Sequence, residues 1–144
     1  MIQKAENKDL LTLTKLACQL WPHYTVEEME AEMGAILAQP DAAFFLAFDR
    51  ETPIGFAQCQ LRHDYVEGTD SSPVGYLEGI YVMEIYRHNG IAKQLLHACE
   101  AWAKEKGCKE FASDCELDNS QSLQFHLNVG FEEANRIICF TKKI

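Results

Sequence analysis

The chain has 144 residues, of which 47% are hydrophobic, and 13 basic against 22 acidic residues give a formal net charge of −9. This length and apolar content can bury roughly two-thirds of the unfolded surface in one core, so we predict a single domain over residues 1–144. The acidic balance disfavours nucleic acid and anionic membranes as partners and favours polycations, although acidic surfaces also serve solubility alone.

Membrane insertion and metal binding are not expected. No apolar run approaches the ~20 residues of a membrane span, and residues 1–6 lack the apolar stretch of a signal peptide. We therefore expect a soluble, cytoplasmic protein. Its six cysteines form no Cys-x-x-Cys pair and have no histidine at zinc-finger spacing, which predicts reduced structural thiols and no metal.

Two helices are predicted first along the chain. Apolar residues recur at helical spacing over 10–20, and Trp21-Pro22 ends this helix. Thr25 and Glu28 have the spacing of a capping box, in which each side chain satisfies a free backbone N–H of the other residue. The second helix is therefore expected to begin there and to stop before Pro40.

Strands and helices then alternate. The first two strands (43–48 and 54–61) form a hairpin, and a polar loop (62–75) leads to a third strand (76–83). A helix then runs from Ile91 to the stop at Gly107. After it come a strand (110–115), a helix (120–129) and a last strand (137–142). This order predicts an α/β fold with a mixed sheet.

The segment with the clearest chemistry is the strand at 76–83 and the turn that follows it. The strand contains one carboxylate, Glu78, and residues 87–92 form an Arg-x-x-Gly-x-Ala turn that opens an amphipathic helix. Outward N–H groups and the positive end of the helix dipole together suit an anion such as a pyrophosphate. An ordinary helix entry is the alternative.

Residues 87–92 resemble the acetyl-coenzyme A turn of the GCN5-related N-acetyltransferases, and the resemblance extends over residues 44–143. It implies a mixed, mostly antiparallel sheet flanked by helices, with splayed central strands. The order of several separated blocks resembles, more narrowly, the aminoglycoside 6′-N-acetyltransferases: Leu20-Trp21-Pro22, residues 62–68, residues 71–74, Leu77-Glu78-Gly79-Ile80 and Ala112-Ser113-Asp114.

Two carboxylates are the candidate catalytic groups. Strand alternation predicts that Glu78 shares a face with Tyr76, Ile80 and Val82, where partial desolvation would make it a usable general base; a structural pair with an arginine is the alternative. Asp114 lies near the carboxyl end of the next central strand, where ligand sites gather. Together the two acids would form a pocket for a multiply charged amine, unless Asp114 only caps the loop before the next helix.

Further residues follow from the requirements of the donor and from the resemblance. Pyrophosphate oxygens need the N–H groups of His88, Asn89, Gly90, Ile91, Ala92 and Lys93. The pantetheine arm needs free backbone groups around Ile80, Tyr81 and Val82, and by resemblance the N–H of Val82 polarises the thioester carbonyl while Asn119 contacts the donor.

The acceptor would meet the aromatic residues Trp21, Tyr24 and Tyr65, because sugar rings and cations both favour aromatic faces. Asn135 stands where related aminoglycoside enzymes can carry an acid, so the substrate preference is expected to differ there. His126 lies near the position of a tyrosine that protonates the leaving thiolate in many relatives. Either His126 or no residue serves as that acid.

The resemblance thus implies transfer of an acetyl group from acetyl-coenzyme A to the 6′-amino group of aminoglycosides, by direct attack in a ternary complex. Two alternatives remain open: an acetyltransferase acting on a polyamine or a protein amine, and a non-catalytic module that binds acyl-coenzyme A. The resemblance also favours a homodimer, built through the C-terminal strands.

Overall fold

The computed structural model describes residues 1–144 and contains five strands and four helices. In chain order these are β1 (Ile2–Lys4), α1 (Leu10–Leu20), α2 (Val26–Leu37), β2 (Ala42–Asp49), β3 (Thr52–Arg62), β4 (Val74–Val82), α3 (Ile91–Glu105), β5 (Phe111–Ser113) and α4 (Ser120–Asn128). No helix is both long and apolar enough to span a membrane.

The sheet follows the order of the chain, β1-β2-β3-β4-β5. Every neighbouring pair is antiparallel except β4 and β5, which run parallel across the α3 crossover. The mixed, mostly antiparallel sheet predicted from the sequence is thereby confirmed.

Helices cover both faces of the sheet. Alternate residues of β2 point to opposite sides: Phe44 packs with the buried residues of α1 and α2, whereas Phe45 packs with those of α3. Strand β2 is buried from Ala42 to Ala47 for this reason. The sheet is therefore the middle layer between α1–α2 on one face and α3 on the other.

Strand β4 contains an extra residue. Leu77 pairs with Cys59 and Gly79 pairs with Gln58, so Glu78 between them has no partner on β3. A bulge of this kind resets the alternation of side chains. Ile80 and Val82 consequently face the α3 side together with Leu77, while Tyr81 packs toward α1 and α2. The prediction that Glu78 shares a face with Ile80 and Val82 is wrong for this reason.

Strands β4 and β5 separate next to the bulge at Glu78. Their ladder holds three pairs and ends at Leu77 opposite Ser113. Beyond that point the edge of β4 that faces away from β3 has no partner strand as far as Val82. The expected splaying of the central strands is thus present, and it begins one residue before Glu78.

The two ends of the chain differ from the sequence prediction. Strand β1 was not predicted, because three residues with one half-buried side chain carry too short a pattern. The strand predicted at 137–142 does not form: residues 131–144 contain no helix or strand. Ile138 and Phe140 are 80% and 88% exposed there, so the apolar run does not pack on the sheet, although the outer edge of β5 is free.

Candidate active site

The turn before α3 exposes a row of unpaired donors. None of the backbone N–H groups of residues 88–93 donates to a backbone carbonyl; the first helical bond runs from Gln94 N to Gly90 O, at 3.1 Å. We call residues 88–93 the anion turn. Unpaired N–H groups at the start of a 15-residue helix combine directed donors with the positive end of the dipole.

Backbone conformation and two side chains shape the anion turn. His88 and Gly90 adopt left-handed conformations, with φ of 65° and 78°. The Asn89 amide donates to the carbonyls of Tyr86 and Arg87, both at 3.2 Å. The Arg87 side chain turns back and donates from Nε to the Val82 carbonyl at 2.7 Å. The arginine of the motif therefore fastens the turn to the end of β4.

The space above the anion turn is open. A Cβ built on Gly90 would meet no atom within 4 Å, so a ligand can approach the backbone directly at this point. The turn thus fits a pyrophosphate, and the free edge of β4 over residues 78–82 offers backbone groups to an extended arm. Asn119 caps α4, accepting a hydrogen bond from Ser122 N at 3.0 Å.

Glu78 is held by an arginine from the neighbouring strand. Arg62 donates from Nε and Nη2 to Glu78 Oε1, at 3.0 and 2.9 Å, and from Nη2 to Oε2 at 3.0 Å. The Glu78 side chain is 20% exposed and that of Arg62 is 38% exposed. The carboxylate is therefore held in one orientation by the guanidinium, at the level where β4 and β5 separate.

Asp114 is held by a tyrosine. The buried Tyr76 hydroxyl donates a short hydrogen bond to Asp114 Oδ2. Burial, and then the Asp114 carboxylate, raise the pKa of Tyr76 above its usual range, so the phenol stays protonated. The guanidinium of Arg62 lies 3.4 Å from the centre of the Tyr76 ring. Arg62, Tyr76, Glu78 and Asp114 thus form one connected group, which we call the carboxylate cluster.

Trp21 forms a wall beside this cluster. A Cβ on Gly79 would lie 2.7 Å from the Trp21 ring, so glycine is required there for the indole to pack on β4. The ring also meets Phe56 edge-on, with centroids 6.1 Å apart. Trp21 therefore packs against the residue that follows Glu78 in β4.

The other predicted acceptor residues lie in loops. Tyr24 is 37% exposed and stacks on His23, and Tyr65 is 76% exposed in the loop after β3. Asn135 donates to Glu67 Oε1 at 3.4 Å, which brings the C-terminal residues to the same loop. None of these three side chains is hydrogen-bonded to the carboxylate cluster.

Two contacts fix that loop, residues 63–73, although its tip is exposed. Val66 is buried against Tyr76. Glu110 accepts hydrogen bonds from the Ser71 hydroxyl and from Asp70 N, and these lower the pKa of the Glu110 carboxyl below its usual range. The loop is therefore fixed to Glu110, at the start of β5, and to Tyr76 of the carboxylate cluster.

Both ring nitrogens of His126 are occupied by the protein. Nδ1 lies 2.7 Å from the Ser122 carbonyl, which can only accept, so Nδ1 carries a proton. Nε2 lies 2.8 Å from Ser113 Oγ. The Ser113 hydroxyl also donates to the Leu77 carbonyl at 3.3 Å, so both ring nitrogens of His126 are engaged with protein atoms. This geometry does not favour His126 as a direct acid.

Sequence reasoning missed two residues of the cluster, Arg62 and Tyr76, as members of the site. Arg62 is 16 positions from Glu78, and Tyr76 is 38 positions from Asp114. The signal available was the cross-strand neighbourhood: Arg62 ends β3, and Tyr76 pairs with Gln60 on that strand. A basic residue two positions beyond the partner of a strand tyrosine can reach across its ring.

An anion turn at one end of a gap between strands, with a carboxylate cluster at the other, defines a group-transfer enzyme whose donor carries a phosphate. Residues 8–131 match the sequence profile of the acetyltransferase (GNAT) family. The chain belongs to this family.

Named relatives agree with this assignment. The chain is 44% identical over 125 residues, 87% of its length and 86% of the relative's, to aminoglycoside N(6′)-acetyltransferase type 1 of Salmonella typhimurium. It is 38% identical to the protein of the same name from Acinetobacter haemolyticus, covering 99% and 98% of the two chains. It also superposes with a TM-score of 0.96, at 40% identity and covering 100% and 98%, on AAC(6′)-Iy in complex with the bisubstrate analogue CoA-S-monomethyl-acetylneamine.

Proposed function

We propose that this acetyltransferase transfers an acetyl group from acetyl-coenzyme A to the 6′-amino group of aminoglycosides, and so confers resistance to them. The observation that carries the proposal is the position of Glu78, an anionic residue at the bulge where β4 and β5 separate. The same gap leads along the free edge of β4 to the anion turn. Donor and acceptor would meet where the carboxylate is.

The relatives support this acceptor class. Two enzymes that the chain matches over at least 86% of either length are named aminoglycoside N(6′)-acetyltransferases. The similar solved structure holds an analogue that joins coenzyme A to acetylneamine, which is the covalent counterpart of a ternary complex. The acidic carboxylate cluster and the net charge of −9 suit a polycation.

The chain's own groups divide the work as follows. The N–H groups of residues 88–93 bind the pyrophosphate, and the Val82 N–H polarises the thioester carbonyl. Glu78, directly or through a water, accepts a proton from the acceptor ammonium, and Asp114 binds a further ammonium group. The free amine attacks the carbonyl carbon, the C–S bond breaks, and the nitrogen loses its second proton to solvent while the departing thiolate takes up a proton.

An acetylation assay over a panel of amines tests the proposal. Kanamycin-like compounds with a 6′-amino group should be acetylated, and matched compounds with a 6′-hydroxyl should not, because a hydroxyl is a far poorer nucleophile at neutral pH. Spermidine and a lysine peptide are the comparison acceptors. Equal acetylation of the 6′-amino and 6′-hydroxyl compounds, or activity confined to spermidine or the peptide, would refute the aminoglycoside assignment.

We further infer that two copies assemble through their C-terminal residues and that the enzyme works in the cytoplasm, where acetyl-coenzyme A is present. Ile137, Ile138 and Phe140 are 71%, 80% and 88% exposed. The outer edge of β5 has no partner, and a groove of about 610 Å³ lined by Phe111 and Phe131 runs beside it. The exposed apolar residues 137–140 of one copy can therefore pair with the free edge of β5 in the other copy.

Light scattering on a sizing column tests this assembly. The wild-type protein should have twice the chain mass, and the double variant Ile138→Glu/Phe140→Glu should have the monomer mass. Leu11→Glu, at a side chain 54% exposed on α1, is the control and should remain dimeric. A monomeric wild-type protein, or a dimer unaffected by the double variant, would contradict the inference.

A further inference from the structure

Neither carboxylate of the cluster stands alone, and the two partners touch each other. Arg62 makes three hydrogen bonds to Glu78, and Tyr76 donates to Asp114. The guanidinium then lies flat over the phenol ring at 3.4 Å. The order along the contacts is Glu78, Arg62, Tyr76, Asp114. A change at one end therefore reaches the other through the stacked pair.

The arginine lies where a cationic acceptor should be attracted. Arg62 cancels the charge of Glu78 and leaves Asp114 as the net anion of the cluster. An arginine kept beside a base works against binding of a polycation, so a role in binding does not explain it. A role in orientation does, because its planar fork fixes both carboxylate oxygens and the ring fixes the fork.

Building on the proposed function, we propose that Arg62 and Tyr76 are positioning residues that fix the direction of the two carboxylates. Arg62 holds both oxygens of Glu78 in one orientation, ready to accept the proton. Tyr76 supports Arg62 with its ring and holds Asp114 with its hydroxyl, so that Asp114 binds the acceptor's second ammonium. Neither residue touches the reacting atoms.

The first test is a split between kcat and KM. In Arg62→Met, kcat should fall at least tenfold while the KM for a kanamycin-like acceptor falls or stays unchanged, because a competing cation has gone. Arg62→Lys should recover part of kcat, because it restores a cation that can bond to Glu78 but lacks the planar fork.

Tyr76→Phe is the matched variant for the other half of the cluster. It keeps the ring beneath Arg62 and removes only the hydroxyl bonded to Asp114. The KM for the acceptor should rise severalfold, with kcat little changed. A rise of KM in Arg62→Met, or a kcat in Arg62→Lys no better than in Arg62→Met, would overturn the proposal in favour of a merely structural ion pair.

A substrate-free experiment separates this proposal from the function. Melting temperatures of wild type, Arg62→Met, Glu78→Gln and the double variant form a cycle. The loss caused by Arg62→Met should shrink in the Glu78→Gln background, because the partner has already been altered. Additive losses would show that the contact does not exist in solution and would refute the positioning role. If the two losses are not additive but no aminoglycoside is acetylated, only the assigned acceptor is wrong. The kinetic tests are then repeated with the amine that the enzyme does acetylate.

Discussion

The two ends of the site are built from different parts of the chain. The anion turn offers backbone N–H groups that the protein leaves unpaired, whereas each charged side chain of the carboxylate cluster already has a partner. Backbone donors recognise an anion through geometry and dipole, which few side-chain substitutions alter. Paired carboxylates respond to every change in their partners. Donor binding should therefore tolerate substitution, and acceptor chemistry should not.

The largest effect should come from Glu78→Gln, which keeps the size of the side chain and removes its ability to take a proton. Turnover should fall by roughly 10²–10⁴-fold, the usual contribution of a general base. Stabilisation by acetyl-coenzyme A should persist, because the anion turn is untouched. Glu30→Gln, at an exposed position of α2, is the control and should keep wild-type kinetics. Wild-type turnover in Glu78→Gln would assign proton removal to another group or to solvent.

Binding of acetyl-coenzyme A to the anion turn can be abolished only by a side chain that blocks the approach to its backbone N–H groups. Acetyl-coenzyme A at a hundredfold excess over its Kd should stabilise the wild-type fold by about 2.7 kcal/mol. Gly90→Leu should abolish most of that shift, since the side chain would occupy the open space at a left-handed φ of 78°. Melting curves with and without ligand measure it.

The matched control for that variant lies at the other end of the same helix. Gly107 also has a left-handed φ, of 93°, and open space around it. Gly107→Leu should cost comparable stability through backbone strain while the ligand shift remains. An equal ligand shift in both variants would remove residues 88–93 from the donor site.

A smaller effect is expected at Asp114. Asp114→Asn keeps a hydrogen-bond acceptor for Tyr76 but removes the charge, so the KM for a kanamycin-like acceptor should rise about tenfold, equivalent to about 1.4 kcal/mol. The wild-type KM should also rise with ionic strength, because exposed charges are screened over ~10 Å at 0.1 M salt. Steady-state kinetics at two salt concentrations give both values. A KM that ignores both changes would exclude Asp114 from acceptor binding.

The smallest effect concerns the loop tied to Glu110. The folded protein lowers the pKa of Glu110, so its carboxylate favours the folded state above the ordinary glutamate range and loses that contribution as pH falls through the lowered pKa. Glu110→Gln should therefore melt slightly earlier than wild type near pH 7, and the difference should vanish in acid. Glu105→Gln, exposed at the end of α3, should show no such dependence. A difference that is constant with pH would mean that the Ser71 and Asp70 contacts do not form.

The backbone half of the site could be predicted from the sequence, because its signal is local. An Arg-x-x-Gly-x-Ala segment between an apolar strand and a helix specifies both the left-handed glycine and the free N–H groups. The capping box at Thr25 and Glu28 is local in the same way, and both of its hydrogen bonds form, at 3.1 Å. Three or four adjacent residues decide such features.

The carboxylate cluster could be predicted only in part. Glu78 and Asp114 were expected to be neighbours, because parallel strands bring their ends together. Their partners were not, since the link from Arg62 to Glu78 depends on strand register and on the bulge, which side-chain alternation does not reveal. The last strand failed for a related reason: an apolar run predicts a strand, but pairing depends on contacts distant in the sequence, and residues 137–142 do not pair with the free edge of β5.

The bulge in β4 also determines which insertions and deletions this fold can absorb. Leu77 and Gly79 pair with consecutive residues of β3. Removing Glu78 alone would therefore leave a regular strand in which all the remaining side chains keep their present faces. The carboxylate that we propose as the base is thus an extra residue in the sheet. If it is the base, one codon gained or lost at this position would switch the chemistry on or off in evolution while the paired residues of the sheet remain as they are.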